Sequence, residues 1–279
     1  MRFGISTHLY HDRRLDRQHL EQIASYGFDT IELFATRSHF DYHDEAAIAH
    51  LAEWLPATGL SLASVHAPIA ESLTNGQWGG PLSIALSDNA KRQQAVRESE
   101  AALRIARRIP FQVLVLHLGT PSAYSQVGDN NRASAFHSAD EICRLAEPLG
   151  IRVALEVIPN DLSSAPSLVS LLEQDLNAEH AGICLDFGHA HLMGDVADTI
   201  ETAAEHVIAT HVHDNRRRND EHLVPYGGSI NWDTALMTMQ KIGYEGTYLM
   251  ELANTSAPET VLDDARRARQ RFERTLAHS

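Results

Sequence analysis

Six residues able to hold a divalent cation stand at or near the carboxyl ends of six successive apolar runs: His66, His117, Glu156, Asp186, His211 and Glu251. A lone histidine at such a position is ordinarily a capping or core residue, and a lone carboxylate is ordinarily a helix cap. All six cannot be caps, because Glu156 and Glu251 are followed by apolar residues, and a carboxylate buried without a partner is costly. A bound dication removes that cost. Local spacing adds three more donors: Asp186-Phe187-Gly188-His189 brings a carboxylate and an imidazole round a tight turn, and Asp220-Glu221-His222 sets two ligands on one side of an extended loop. This mixture of oxygen and nitrogen without thiolate suits Zn2+, Mn2+, Co2+ or Fe2+ better than Ca2+. Nine donors exceed the needs of one ion, so their convergence implies a cluster of two or three.

The elements that must position them alternate. Candidate strands cover 2–7, 29–34, 60–66, 111–119, 152–158, 181–188, 207–213 and 246–252, and stretches with helical spacing lie near 15–26, 45–57, 88–108, 133–149, 165–174, 196–206, 231–242 and 258–276. Gly27, Gly59, Gly150 and Gly243 each follow a helix and precede a strand, where a left-handed residue is wanted. Eight even βα units predict an α/β protein, a single (β/α)8 barrel over residues 1–279, with a doubly wound sheet as the competing arrangement; no G-x-G-x-x-G follows the first strand. In a barrel the six strand ends converge on one rim. Two long connections, 67–87 and 214–230, lie on that same side.

The remaining polar residues carry less weight. Arg217, within Arg216-Arg217-Arg218, is a candidate for a substrate anion, although a basic triplet in a long loop is commonly a solvated surface. Trp78 in a glycine-rich loop has the shape to stack on a sugar face or to pin the loop. His8 and Glu32 end the first two strands and complete the rim as polar contacts, and His213 shares a face with His211, lining the site or crowding it. His11, His19, His39, His43, His50, His137, His180, His206 and His278 are expected at the surface.

With 23 basic against 37 acidic side chains the formal charge is −14, which disfavours a nucleic-acid footprint, less so where carboxylates neutralise bound dications. No apolar run approaches the roughly 18 residues of a membrane span, and the polar start reads as a first strand instead of a signal peptide. A cytoplasmic protein is expected, with Cys143 and Cys184 reduced and the Asn254-Thr255-Ser256 sequon unused.

The ordered stretches GFDTIELF, SVHAP, LHLG, ALEVIP, CLDFGHAH, HVHDN, DEHLVPYGGSINW and YLMEL resemble the xylose isomerase-like TIM barrel superfamily over nearly the whole chain. That group includes sugar isomerases and epimerases and the endonuclease IV type of apurinic endonuclease. The ketose 3-epimerase-like branch implies metal ligands at Glu156, Asp186, His211 and Glu251, with His189 at the substrate. The endonuclease IV-like branch implies those four plus His66, His117, His189, Asp220 and His222 around three zinc ions. Against the second branch, ATRSHFDYH and the 67–87 segment show no match to the DNA-entering loops, and Tyr226-Gly227-Gly228 stands where many relatives of both branches read Gly-Glu-Gly. The resemblance therefore implies a divalent-metal-dependent isomerase or epimerase of a small sugar, sugar phosphate or ketose, with one to three ions per chain, zinc or manganese foremost. Standing on the fifth and eighth strands, Glu156 and Glu251 can flank a substrate from two sides and are expected to act as acid and base through an enediolate; His189, and as candidates from the residue reading His8, Trp78 and Arg217, are expected at the substrate. The alternatives are a zinc-cluster phosphodiesterase at abasic DNA and a non-catalytic sugar-binding barrel. The long open rim leaves room for cover from a second subunit in a homo-oligomer.

Overall fold

A computed structural model describes residues 2–174, 176 and 179–277. The expected surface residue His278 lies outside the described residues. Eight parallel strands close into a barrel in sequential order: β1 (Arg2–Ser6), β2 (Thr30–Phe34), β3 (Ser61–His66), β4 (Val113–Leu116), β5 (Arg152–Glu156), β6 (Ala181–Asp186), β7 (Val207–Val212) and β8 (Thr247–Met250), with β8 pairing back onto β1. Helices α1 (Arg17–Ser25), α2 (Glu45–Thr58), α3 (Asn89–Leu103), α4 (Arg132–Ala146), α5 (Ala165–Gln174), α6 (Phe187–Met193), α7 (Val196–Ala203), α8 (Trp232–Lys241) and α9 (Pro258–Ala277) surround it. Among the described residues no helix is long and apolar enough to cross a membrane.

Strand parity decides what enters the barrel. Successive side chains on a strand face opposite ways, and Leu114, Leu116, Val153, Leu155, Ile183, Leu185, Val212, Tyr248 and Met250 belong to the main core shared with the helices. The alternate positions turn inward. Val115, Ala154 and Cys184 form a small separate cluster with Ala209 against it, and one inward step along the chain leads to His117, Glu156, Asp186 and His211. Small apolar residues thus plug the barrel, and the next inward layer is polar. The register is irregular between Ile31 and Glu32 and again between Ile183 and Cys184, and such shifts re-aim the side chains beyond them.

The structure departs from the sequence reading at several places. The sixth strand ends at Asp186, not 188, because the Asp186 carboxylate accepts from the backbone N–H of His189 at 2.6 Å and starts α6. What looked like a tight turn is a helix. The 67–87 connection folds Leu73–Thr74 onto Gln77–Trp78 as a small hairpin around Asn75 and Gly76, both at positive φ. His39 is buried, with its Nδ1–H donating to the Arg13 carbonyl at 2.7 Å. His11, His19, His180 and His206 are half-buried as well, His11 because its ring stacks on His8 and His19 because its ring lies against Tyr10.

The 214–230 connection is organised by one carboxylate. Fully buried Asp214 accepts hydrogen bonds from the backbone N–H groups of Asn215, Tyr226 and Ile230 and from the Trp232 indole, at 2.8 to 3.1 Å. The Asp214–Leu223 backbone bridge closes the segment, which carries Asp220 and His222 back over the rim. Removing that acceptor strands several buried donors, each worth about 1–3 kcal/mol. Asp214→Ala is expected to lose about 3 kcal/mol of stability in urea unfolding; a loss below about 1 kcal/mol would contradict this role.

Candidate metal centre

Every donor expected from the sequence reaches one region. Glu156, Asp186, His211 and Glu251 each offer an atom within 4.8 Å of the others, and the same holds for His66, His117 and Glu156, for His66, His211 and Glu251, and for His189, His213, Asp220 and His222. Glu156 sits at the centre. Its Oε2 lies 3.0 Å from His117 Nε2 and 3.2 Å from His66 Nε2, and its Oε1 lies 3.2 Å from His211 Nδ1 and 3.4 Å from His189 Nδ1. Glu251 Oε2 approaches His211 Nδ1 at 3.5 Å, and Asp186 Oδ2 approaches His189 Nδ1 at 3.4 Å.

Four buried atoms here, Glu156 Oε1, His189 Nδ1, His211 Nδ1 and His213 Nδ1, have no hydrogen-bond partner. Buried polar groups are rarely left so. Imidazole nitrogens and carboxylate oxygens converging this closely are the donor set of a borderline divalent ion, and the orphaned atoms fit one. Protons otherwise do that work. Burial raises the Glu156 carboxyl, but the imidazoles of His211 and His117 outweigh it and hold the group well below the usual carboxylate range. Burial lowers His222, yet the Asp220 carboxylate beside it pushes the imidazole up to about 9. His189 is driven up in the same sense, burial being overcome by Asp186 and Asp220.

Glu32 and His213 are the members that sequence spacing left undefined. Glu32 is fully buried and accepts from Ser64 Oγ at 2.7 Å and Ser6 Oγ at 3.2 Å, its register partners on β3 and β1. Its two oxygens lie 3.1 and 3.2 Å from His211 Nε2. A proton held on Nε2 leaves the Nδ1 lone pair facing Glu156 and Glu251, the carboxylate–histidine–metal arrangement. The sequence placed Glu32 at the end of the second strand, whereas it stands in the middle of β2.

The proposed substrate contacts divide. His189 is in the centre. His8 donates from Nδ1 to the Leu252 carbonyl at 3.2 Å and stacks between His11 and His222, at 4.4 and 5.0 Å between ring centres. Burial foremost, with His222 nearby, holds its pKa well below the usual value. Trp78 lies parallel to His11 at 5.8 Å and remains 46% exposed, extending this row to the rim. Arg217 turns away: its guanidinium donates to the carbonyls of His191 and Gly194 at the end of α6. Arg216 is paired with Glu221 at 2.6 Å.

The sequence profile of the xylose isomerase-like TIM barrel family matches residues 20–272. This chain belongs to that family. An uncharacterized protein of Methanocaldococcus jannaschii is 29% identical over 265 residues, 91% of this xylose isomerase-like barrel and 84% of that protein. The L-ribulose-5-phosphate 3-epimerase of Salmonella paratyphi C is 23% identical over 244 residues, 86% of this chain and 83% of its own. A crystal structure of a D-tagatose 3-epimerase-like protein superposes with a TM-score of 0.81 at 26% identity, covering 99% of this chain and 97% of that one.

Two outcomes are expected for this xylose isomerase-like barrel. Glu32→Gln should weaken metal binding about tenfold in chelator competition while retaining the fold; unchanged affinity would remove the role given to Glu32. Because ligation displaces protons held on the imidazoles, titrating Zn2+ into chelated protein near pH 7 should release protons, seen as a calorimetric heat that varies with buffer ionisation enthalpy. A buffer-independent heat would mean that the histidines are already unprotonated.

Proposed function

We propose that this protein is a divalent-metal-dependent epimerase or isomerase of a small ketose or ketose phosphate. The observation that carries the reading is the buried quartet Glu156, Asp186, His211 and Glu251, presented by four consecutive strands with its carboxylates on either side of His211. Its likeness to the two epimerase relatives supports the same class of chemistry. When bound, a divalent ion supplies positive charge that polarises a carbonyl and its neighbouring hydroxyl, lowering the cost of removing the intervening proton. Asp186 and His211 hold that ion together with the two glutamates, and Glu32 fixes the tautomer of His211. One glutamate takes the proton from the carbon beside the carbonyl, and the other returns a proton on the opposite face. His189 orients the substrate oxygens; His8 and Trp78 offer ring surfaces to the sugar face.

The donors outside the quartet favour a second reading. His66 and His117 on one side and His189, Asp220 and His222 on the other bring the set to the nine of a zinc-cluster phosphodiesterase, in which clustered ions activate water and steady a leaving oxygen. Cleavage of abasic-site DNA by zinc-loaded protein, with no epimer formed from any ketose, is the result that would favour it.

Glu156→Gln and Glu251→Gln should each lower epimer formation by about two to four orders of magnitude across a panel of ketoses and ketose phosphates, the range associated with a lost general acid or base. Metal content measured in parallel separates loss of the base from loss of the ion. A Glu251→Gln variant with full activity would remove the two-carboxylate scheme.

A further inference from the structure

We infer that the groove between α9 and residues 222–227 binds the phosphoryl group of a small organic phosphate, at a place separate from the metal centre and independent of the reaction performed there. The groove has a volume of about 440 Å3, the size of a small-molecule site. Val261, Asp264, Arg267, Ala268 and Arg271 line one side, and their three- and four-residue spacing sets them on a single face of α9. Arg216 and residues 223–227 line the other side. His222 and Ala253 stand at the end nearest the barrel mouth, joined by a hydrogen bond from the Ala253 N–H to the His222 carbonyl at 3.0 Å. Both imidazole nitrogens of His222 are engaged by Asp220 and by the Glu251 carbonyl, so this residue walls the groove off from the mouth.

The chain has a formal charge of −14, yet the groove presents three guanidiniums against one carboxylate. Two of the three are paired at the surface: Arg216 with Glu221 at 2.6 Å, and Arg267 with Asp263 and Asp264 at 2.5 and 3.4 Å. Arg271 is not. Its guanidinium carbon lies 3.6 Å from the centre of the Tyr226 ring, and among the described residues its N–H groups meet no acceptor. A guanidinium laid on a ring keeps its donors free for bidentate contact with an oxyanion. Arg267 stands one turn away on the same face, and its exposed ion pairs are worth little, so its donors are available too. Thr255 and Ser256 add hydroxyl groups at the same groove. Two guanidiniums and two hydroxyls match the several oxygens and the double charge of a phosphoryl group.

The platform under Arg271 is fixed in advance. Tyr226 holds φ at 73°, a costly conformation for a bulky residue. It is pinned there because its N–H donates to the buried Asp214 carboxylate at 3.0 Å and its ring packs edge-on against Phe272 at 5.7 Å. Val261 and Ala268 are buried beneath the groove and offer an apolar floor to the organic part of the ligand. A phosphoryl group held from α9 and met by Arg216 across the groove ties that helix to the 214–230 connection.

The test is calorimetric titration of glycerol 3-phosphate into full-length, metal-loaded protein, with glycerol as the uncharged counterpart, for wild type, Arg271→Gln, Arg271→Lys and Glu251→Gln. Arg271 is exposed, so its replacement spares the core. Wild type is expected to bind glycerol 3-phosphate but not glycerol, with an affinity that falls as salt is raised. Arg271→Gln should weaken binding at least about tenfold. Arg271→Lys, which keeps the charge but not the planar fork, should recover only part of that loss, and Glu251→Gln should bind as wild type does. No binding by wild type, or wild-type affinity in Arg271→Gln, would overturn the inference. So would loss of binding in Glu251→Gln, which would put the phosphate at the metal centre. Failure of the epimerase reading would leave these affinities unchanged.

Discussion

Burying many ionisable groups together is tolerable only if each has an opposite charge to face, and the mouth of this barrel is built on that constraint. Glu32, Glu156, Asp186 and Glu251 are buried there with His66, His189, His211 and His213. Any one of them alone would cost several kcal/mol. Glu156 is surrounded by four imidazoles, and its own Oε1 with the Nδ1 atoms of His189, His211 and His213 marks where hydrogen bonding in this region falls short. A dication would supply what is missing, and the barrel is the scaffold that can bring such distant residues to one place.

Much of this was legible from residue types. All eight strands fall within the stretches read from the sequence, since alternating runs of apolar residues leave one face for the helices and one for the interior. The convergence of the strand-end donors was legible for the same reason: an ionisable residue one inward step beyond Val115, Ala154 or Cys184 has nowhere to point but the rim. Helix α6 was not, because Asp186 both caps it and faces the centre, and either role alone explains an aspartate after a strand. Glu32 was only a rim residue in the sequence; its role depends on Ser6 and Ser64 in the neighbouring strands, which register alone reveals. Arg217 illustrates the opposite error. Its position in a rim loop suggested an anion contact, but the carbonyls at the end of α6 capture its guanidinium.

The same layout sets donors at two levels. The quartet stands at or just beyond the ends of four strands. The outer donors His189, Asp220 and His222 straddle α6 and the 214–230 connection, which lacks regular structure apart from the Asp214 network. Asp186 links the two levels, facing His189 and His213 through the same oxygen.

The proposed function requires two glutamates at the rim to move a proton on and off a sugar carbon. The direct measurement is to incubate metal-loaded protein with ketoses and ketose phosphates in D2O and to follow deuterium by mass spectrometry and NMR. Incorporation of one deuterium at the carbon beside the carbonyl, lost in Glu156→Gln and in chelated protein, is the expected result. No exchange into any ketose from protein carrying its full complement of metal would contradict it.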